Sequence, residues 1–346
     1  VPDESICQEN YVAEDMVNVG AEDLKLMVVR KLTEVGMRQA DAATVADVLV
    51  FADMRGTHSH GVLRVEHYTN RIRQGGMNLT PDMKLSQLKP AIGLVDAKGG
   101  VGHVASRFAT EEAIKMAREH GFAVVGIKNS SHCGALAYYV KMAFDKKMAS
   151  MVCVNTDKAV VPFGGKNRFF GTNPFAFGFP GERESILLDM ATSEVAFGKI
   201  FYAREQNTAI PEGWAVDAEG NPTTDAHKAT ALFPFGGAKG YGINMMVEAL
   251  TGLMIGGVFG PHVKAMYDEL DSYRDLSGFH LVIDPSVFGD GYLKNAQQMI
   301  DEIHAEPAAA GFETVMIPGE IEERAMARSA LSGINIPTTI YDFLAR

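Results

Sequence analysis

Three short apolar runs dominate the middle of the chain: Ala91 to Ala97 (AIGLVDA), Phe122 to Lys128 (FAVVGIK) and Ala149 to Val154 (ASMVCV). Two stretches of helical periodicity, 105–119 and 135–147, lie between them. Short runs rich in β-branched residues read as strands, and a helix-length crossover between them covers the sheet they form. An α/β layer is therefore expected here, a mixed sheet covered by helices. Upstream, Leu24, Met27, Val28, Leu32 and Val35 recur at helical spacing before Gly36. Further helical patterns cover 42–54 and 63–74, broken by the polar turn Thr57-His58-Ser59-His60-Gly61. Downstream, 155–183 reads as loop because of its prolines and glycines. Helices are expected at 193–204, 241–256, 291–305 and 320–332, and a strand at 279–283.

With 346 residues, 47% of them hydrophobic, the chain exceeds what one core usually serves. Two interwoven lobes are expected: a flexible arm over 1–19, a helical segment over 20–88, an α/β lobe over 89–224, and a return to the first lobe over 225–346. The formal net charge is −11 and no stretch is rich in Lys or Arg, so the basic footprint of a nucleic-acid binder is missing. Three scattered cysteines, Cys7, Cys133 and Cys153, suit neither a disulfide framework nor a metal cage, and point to a reducing compartment. The acidic opening lacks signal-peptide character, and the longest apolar stretch, Met245 to Gly260, is too short to span a bilayer comfortably. These features predict a soluble, cytoplasmic protein without a membrane partner.

Gly100-Val101-Gly102-His103-Val104-Ala105 matches the G-x-G-x-x-A phosphate loop. The next strand, however, ends Ile127-Lys128-Asn129, without the acidic residue that fingerprint expects. A flexible strand-to-helix turn is the better reading. The turn His58-Ser59-His60, with Arg64 four residues on, is open to three readings. It caps helices, it holds a metal, or it forms a polar site where Arg64 grips a carboxylate with paired hydrogen bonds. The i, i+2 spacing of the histidines disfavours the metal. His132 follows a strand and precedes a helix, the place where open α/β sheets bind ligands. Its pKa range suits proton transfer, although a lone loop histidine is also a common structural residue. Lys239 opens a helical pattern, where its charge opposes the macrodipole. An anionic ligand at that helix end would account for it.

Six segments together resemble one family: THSHGVLRVEHY (57–68), IKNSSHCGALAYY (127–139), VVPFGGKNRFFGTNPFAF (160–177), LLDMATSEVAFGK (187–199), AKGYGINMMVEALTG (238–252) and IPGE (317–320). In order and spacing they are similar to the malate/L-lactate dehydrogenase-like family, which includes ureidoglycolate dehydrogenase. The likeness runs from about residue 20 to the end. It implies a non-Rossmann NAD(P)-binding fold, a homodimer or higher homo-oligomer, and hydride transfer between nicotinamide and a small 2-hydroxy or 2-oxo acid.

By position, the resemblance implies that His132 is the catalytic acid/base, with His60 and Arg64 at the substrate end. It implies cofactor contacts from Thr156, from Asp189, Met190 and Ala191, from Lys239, and from Gly319, Glu320 and Ile321, with Ser59 as a further contact. NAD is the expected cofactor and NADP is possible; Glu320 near the adenine end would hold ribose hydroxyls and repel a 2′-phosphate, which favours NAD. His58, Arg64-Val65-Glu66 and His132-x-Gly-Ala resemble ureidoglycolate dehydrogenases most, whereas Cys133 and Thr156 depart from them. The alternatives are a cyclic-imine 2-carboxylate reductase using the same site, and a metal-dependent hydrolase built on His58, His60 and His132.

Overall fold

The computed structural model describes residues 15–346. A short strand β1 (Met16–Val19) leads into three helices, α1 (Ala21–Glu34), α2 (Gln39–Met54) and α3 (Arg64–Arg73). Leu24, Val28 and Leu32 of α1 meet Val45, Ala46 and Leu49 of α2 and Val65 of α3 in one buried cluster. α2 is buried on most of its circumference, as expected of an Ala/Val-rich helix without a polar face. The arm expected over 1–19 yields at Met16, because β1 pairs antiparallel with Ile334–Pro337. Its earlier part, with Cys7, lies outside the described residues.

The middle of the chain supplies β2 (Leu85–Lys89), β3 (Ile92–Asp96), α4 (Gly102–His120), β4 (Phe122–Ser130), α5 (Ala137–Phe144) and β5 (Ala149–Val154). There follow β6 (Phe175–Pro180), β7 (Ser185–Met190), α6 (Phe197–Glu205), β8 (Ala215–Val216), β9 (Pro222–Thr223), β10 (Ala231–Leu232) and α7 (Ala238–Glu248). The last elements are β11 (Leu276–Ile283), α8 (Tyr292–Ala305), α9 (Glu320–Ser332), β12 (Ile334–Pro337) and α10 (Thr338–Ala345).

The main sheet has seven strands in the order β2-β3-β4-β11-β5-β6-β7. Only β3 and β4, joined by α4, run parallel; the other neighbours are antiparallel. A doubly wound dinucleotide fold requires a succession of parallel strands, so this mixed sheet is of another kind. β11 inserts between β4 and β5, so the sheet takes its central strand from the 225–346 segment and does not end at residue 224.

One expectation needs correction. The stretch 155–183 is not all loop, since β6 occupies the space between β5 and β7. Pro174, Gly178 and Pro180 disguise it locally, but two flanking ladders outweigh weak β propensity. The helix expected over 241–256 is present, beginning three residues earlier at Ala238 and running through a wider π-helical turn over Ala249–Leu253 to Ile255. At the glycine-rich fingerprint, a Cβ on Gly102 would lie 2.1 Å from the Ser131 carbonyl oxygen and 2.5 Å from that of His132. The Gly102 N–H is taken by Ser131 Oγ at 2.9 Å. The glycine thus lets α4 press against the turn that carries His132, and the structural reading of the motif holds.

Candidate active site

The turn before α3 is anchored from below by a buried carboxylate. Asp53 accepts from the Val62 N–H at 2.7 Å and contacts His58 Nδ1 at 2.9 Å. A Cβ on Gly61 would lie 2.0 Å from Asp53 Oδ1, so only glycine fits there. His58 is therefore an anchor. His60 lies elsewhere, its ring stacked on that of His132 at 5.5 Å between centroids and its Nδ1 3.0 Å from Ser59 Oγ. Among the described residues no three His, Cys, Asp or Glu side chains converge as a metal site.

α3 begins at Arg64 and carries Tyr68 one turn later, so both project from one face. Arg64 Nε donates to the Ser59 carbonyl at 2.6 Å, and Arg64 Nη1 donates to the Tyr267 hydroxyl. Arg71 is buried and holds the segment around Tyr267 in place, donating to the carbonyls of Ser272 at 2.8 Å and Met266 at 2.7 Å.

His132 stands just beyond β4 and is only partly buried. Its Nδ1 lies 2.7 Å from the Tyr68 hydroxyl and 3.3 Å from the Gly134 N–H. Nε2 makes no hydrogen bond to the described residues. Burial, then the positive charges associated with His60 and Arg64, with His103 and Arg274 behind them, hold His132 well below the ordinary 6.5. Burial lowers His60 to about 4, reinforced by Arg64. The Tyr68 phenol is pushed upward by burial and stays neutral. Among the described residues no carboxylate pairs with His132, so a substrate carboxylate would be the natural counter-charge for its protonated form. Cys133 is buried, which raises its thiol to about 12 and leaves it a poor nucleophile.

Sequence reasoning missed Tyr68, Tyr267 and the buried ion pair of Arg274 with Asp157. Asp157 also accepts from the Met266 N–H at 3.3 Å. An aromatic at helical spacing reads as core, and nothing local marks residues 117 positions apart as partners.

Of the residues expected at the cofactor, Ser59 lies in the His58–His60 turn and the others lie on β7, α7, the start of α9 and the loops beside them. Thr156 Oγ1 accepts from the Thr172 N–H at 2.9 Å, and Thr192 Oγ1 donates to the Thr172 carbonyl at 2.8 Å. Asp189, Met190 and Ala191 lead directly into Thr192, and Asp189 Oδ2 accepts from the Ala137 N–H at 2.7 Å, just past the His132 turn. Asn244 of α7 donates to Thr192 Oγ1 at 2.8 Å, which brings the N-terminal turn of α7 and Lys239 to the same wall. Lys239 is exposed and makes no ion pair with the described residues. An exposed lysine in the first turn of a helix, on an element bonded to a row of hydroxyls, is the kind of place that takes a nucleotide's phosphates and ribose, although Glu194 already accepts from the Gly236 N–H at this helix end. Gly319, Glu320 and Ile321 follow Pro318, which accepts from the Leu187 N–H at 3.0 Å on β7, two residues before Asp189. Glu320 faces its own chain: His304 Nε2 at 3.0 Å, the Ile317 N–H at 3.2 Å, and Arg324. The Glu320 carboxylate is thus already engaged within the fold.

Ureidoglycolate dehydrogenase (NAD(+)) of Escherichia coli (strain K12) is 41% identical over 331 residues, covering 95% of each chain. The solved sulfolactate dehydrogenase of Methanocaldococcus jannaschii superposes with a TM-score of 0.89 at 36% identity over 95% of each chain. The delta1-piperideine-2-carboxylate reductase of Pseudomonas syringae pvar. tomato gives 0.87 at 30% identity, covering 95% of this chain and 98% of that one. Together with the mixed α/β sheet, these likenesses define the class, an oxidoreductase of the dehydrogenase type. The chain belongs to the malate/L-lactate dehydrogenase family, whose model matches residues 19–345.

Proposed function

We propose that this protein is a cytoplasmic NAD(P)-dependent dehydrogenase that interconverts a small 2-hydroxy acid and its 2-oxo acid, with ureidoglycolate, malate and lactate as the first candidates. The observation that carries this reading is the partly buried His132, fixed at Nδ1 by Tyr68 and unpaired at Nε2, with Arg64 near enough to depress its pKa. The buried free thiols of Cys133 and Cys153 support a reducing compartment. An apolar strip of exposed Met245, Met246, Leu253, Met254 and Phe259 along α7 and the turn beyond it supports self-association as a homodimer or larger assembly.

The substrate carboxylate lies against Arg64, whose remaining guanidinium donors form the paired hydrogen bonds that fix its plane. That anion also offsets the positive charge that depresses His132. The hydroxyl proton passes to Nε2, a step that needs Nδ1 to carry the ring hydrogen and donate to the Tyr68 oxygen in place of accepting from the Gly134 N–H; Tyr68, able to donate or accept, holds the ring without choosing its tautomer. In the reverse direction protonated His132 returns that proton to the oxo oxygen. The nicotinamide nucleotide, when bound, supplies the hydride acceptor or donor. Orientation and charge stabilisation provide most of the acceleration.

The deciding experiment follows absorbance of the reduced nicotinamide across ureidoglycolate, malate, lactate, sulfolactate and a cyclic-imine 2-carboxylate. Turnover of the hydroxy acids supports the proposal; turnover of the imine alone replaces it with the reductase reading. Two substitutions probe the individual roles. Arg64→Lys exchanges a planar fork for a point charge, and KM for the acid should rise roughly tenfold or more. An unchanged KM removes Arg64 from carboxylate recognition. Tyr68→Phe should lower kcat by about tenfold through loss of one hydrogen bond to a charged group, with KM little altered. Full turnover in that variant means the Nδ1 contact has no part in orienting the ring.

A further inference from the structure

Behind the cofactor wall lies a buried polar cluster that the chemistry above does not use. Glu248, at the end of α7, is 2% exposed. Its oxygens accept from Asn173 Nδ2 at 2.6 Å, the Gly260 N–H at 3.0 Å and Asn155 Nδ2 at 3.4 Å. All three partners are donors, so the site demands a side chain that only accepts. Asn244, one turn earlier, accepts from Asn173 Nδ2 at 3.0 Å and donates to the Gly171 carbonyl at 2.9 Å and Thr192 Oγ1 at 2.8 Å. Asn173 Oδ1 in turn accepts from the Thr156 N–H at 3.0 Å. Asn155, Asn173 and Asn244 are fully buried.

The consecutive residues Asn155, Thr156 and Asp157 each reach a different place. Asn155 enters the cluster, Thr156 meets Thr172, and Asp157 pairs with Arg274, whose charge reaches His132. A shift of the cluster therefore moves both the cofactor wall and the charged pair at the substrate end. Well-packed apolar residues would stabilise this region as well as a buried carboxylate does, so stability alone does not require Glu248. A fully satisfied polar network has one arrangement and transmits displacement rigidly.

We propose that Glu248 is a positioning residue: through Asn155, Asn173 and Asn244 it holds the cofactor wall and the Asp157–Arg274 pair as a single unit, coupling nucleotide binding to acid binding. This inference rests on the reading that Thr156, Asp189 to Ala191 and Lys239 face the nucleotide. Glu248→Gln places an amide N–H₂ against a donor. NADH dissociation constants, read from nucleotide fluorescence, should rise about tenfold, and KM for the acid should rise with them, while kcat at saturation falls less. A lower Tm with wild-type NADH affinity and KM would mark Glu248 as merely structural and overturn the proposal. Should that variant not fold, Asn244→Ser removes the bonds to Gly171 and Thr192 and must weaken NADH binding in the same way; wild-type affinity there overturns the proposal. Lys239→Ala is the control on the underlying reading. Weakened NADH binding in Lys239→Ala beside unaltered binding in Glu248→Gln defeats the inference alone, whereas wild-type binding in Lys239→Ala defeats the wall reading and the inference with it.

Discussion

His132→Ala should lower kcat in both directions by about a hundredfold or more, the usual contribution of a positioned acid/base. The side chain is only partly buried and, among the described residues, bonds only Tyr68 and Gly134, so the variant should still fold and bind nucleotide. The pH profiles of the wild type supply the matching signature. Oxidation requires neutral His132 and reduction its protonated form. Because burial and nearby cationic charge hold the pKa well below 6.5, oxidation should stay level as pH falls through 6.5 and decline only at lower pH. Reduction should accelerate as pH falls. Near-normal turnover of His132→Ala, or identical pH trends in single-turnover assays of both directions, removes the imidazole from the mechanism.

Mild acid should destabilise the fold strongly through two histidines outside the proposed chemistry. His103 and His280 are 1% and 0% exposed, and each has a buried Nε2 without a partner among the described residues. Burial lowers both to about 3, with His60 adding to the effect on His103. Between 6.5 and that value the unfolded chain binds protons that the folded chain excludes. Stability is therefore complete above the unfolded pKa and is lost progressively as pH falls below it. At about pH 5 each histidine costs about 2 kcal/mol, so the pair removes about 4 kcal/mol relative to neutral pH. His60 and His67, lowered to about 4, act in the same sense, but their partial exposure reduces their weight. Urea unfolding across this range measures the loss, and His280→Gln should recover about half of it. An unfolding free energy that is flat from neutral pH to about pH 5 would show that these rings are protonated in the fold.

The elements that the sequence reveals are those defined by their own side-chain pattern. The helices near 21–34, 39–54 and 64–73 and the strands at 92–96, 122–130 and 149–154 are legible because apolar spacing reports which face is buried. β6 is not, since Gly178, Pro180 and the preceding Pro174 argue locally against a strand that neighbouring ladders impose. Among the candidate site residues, His132 and Arg64 are visible from chemistry at the right place in a strand-to-helix pattern, whereas Thr156 and Asp189 to Ala191 come from family resemblance alone.

By itself the sequence determined the α/β class, the helical opening, the family and the identity of the proposed acid/base, all of which are written in local periodicity or in collinear motifs. Tertiary structure alone decided that β11 divides the sheet at its centre, that Tyr68 holds a histidine 64 residues away, and that Glu248 gathers three loops into one wall. The reason is physical. Periodicity records which face of an element is buried, but a hydrogen bond between distant side chains depends on the path of the backbone between them, and no short window of residues encodes that path.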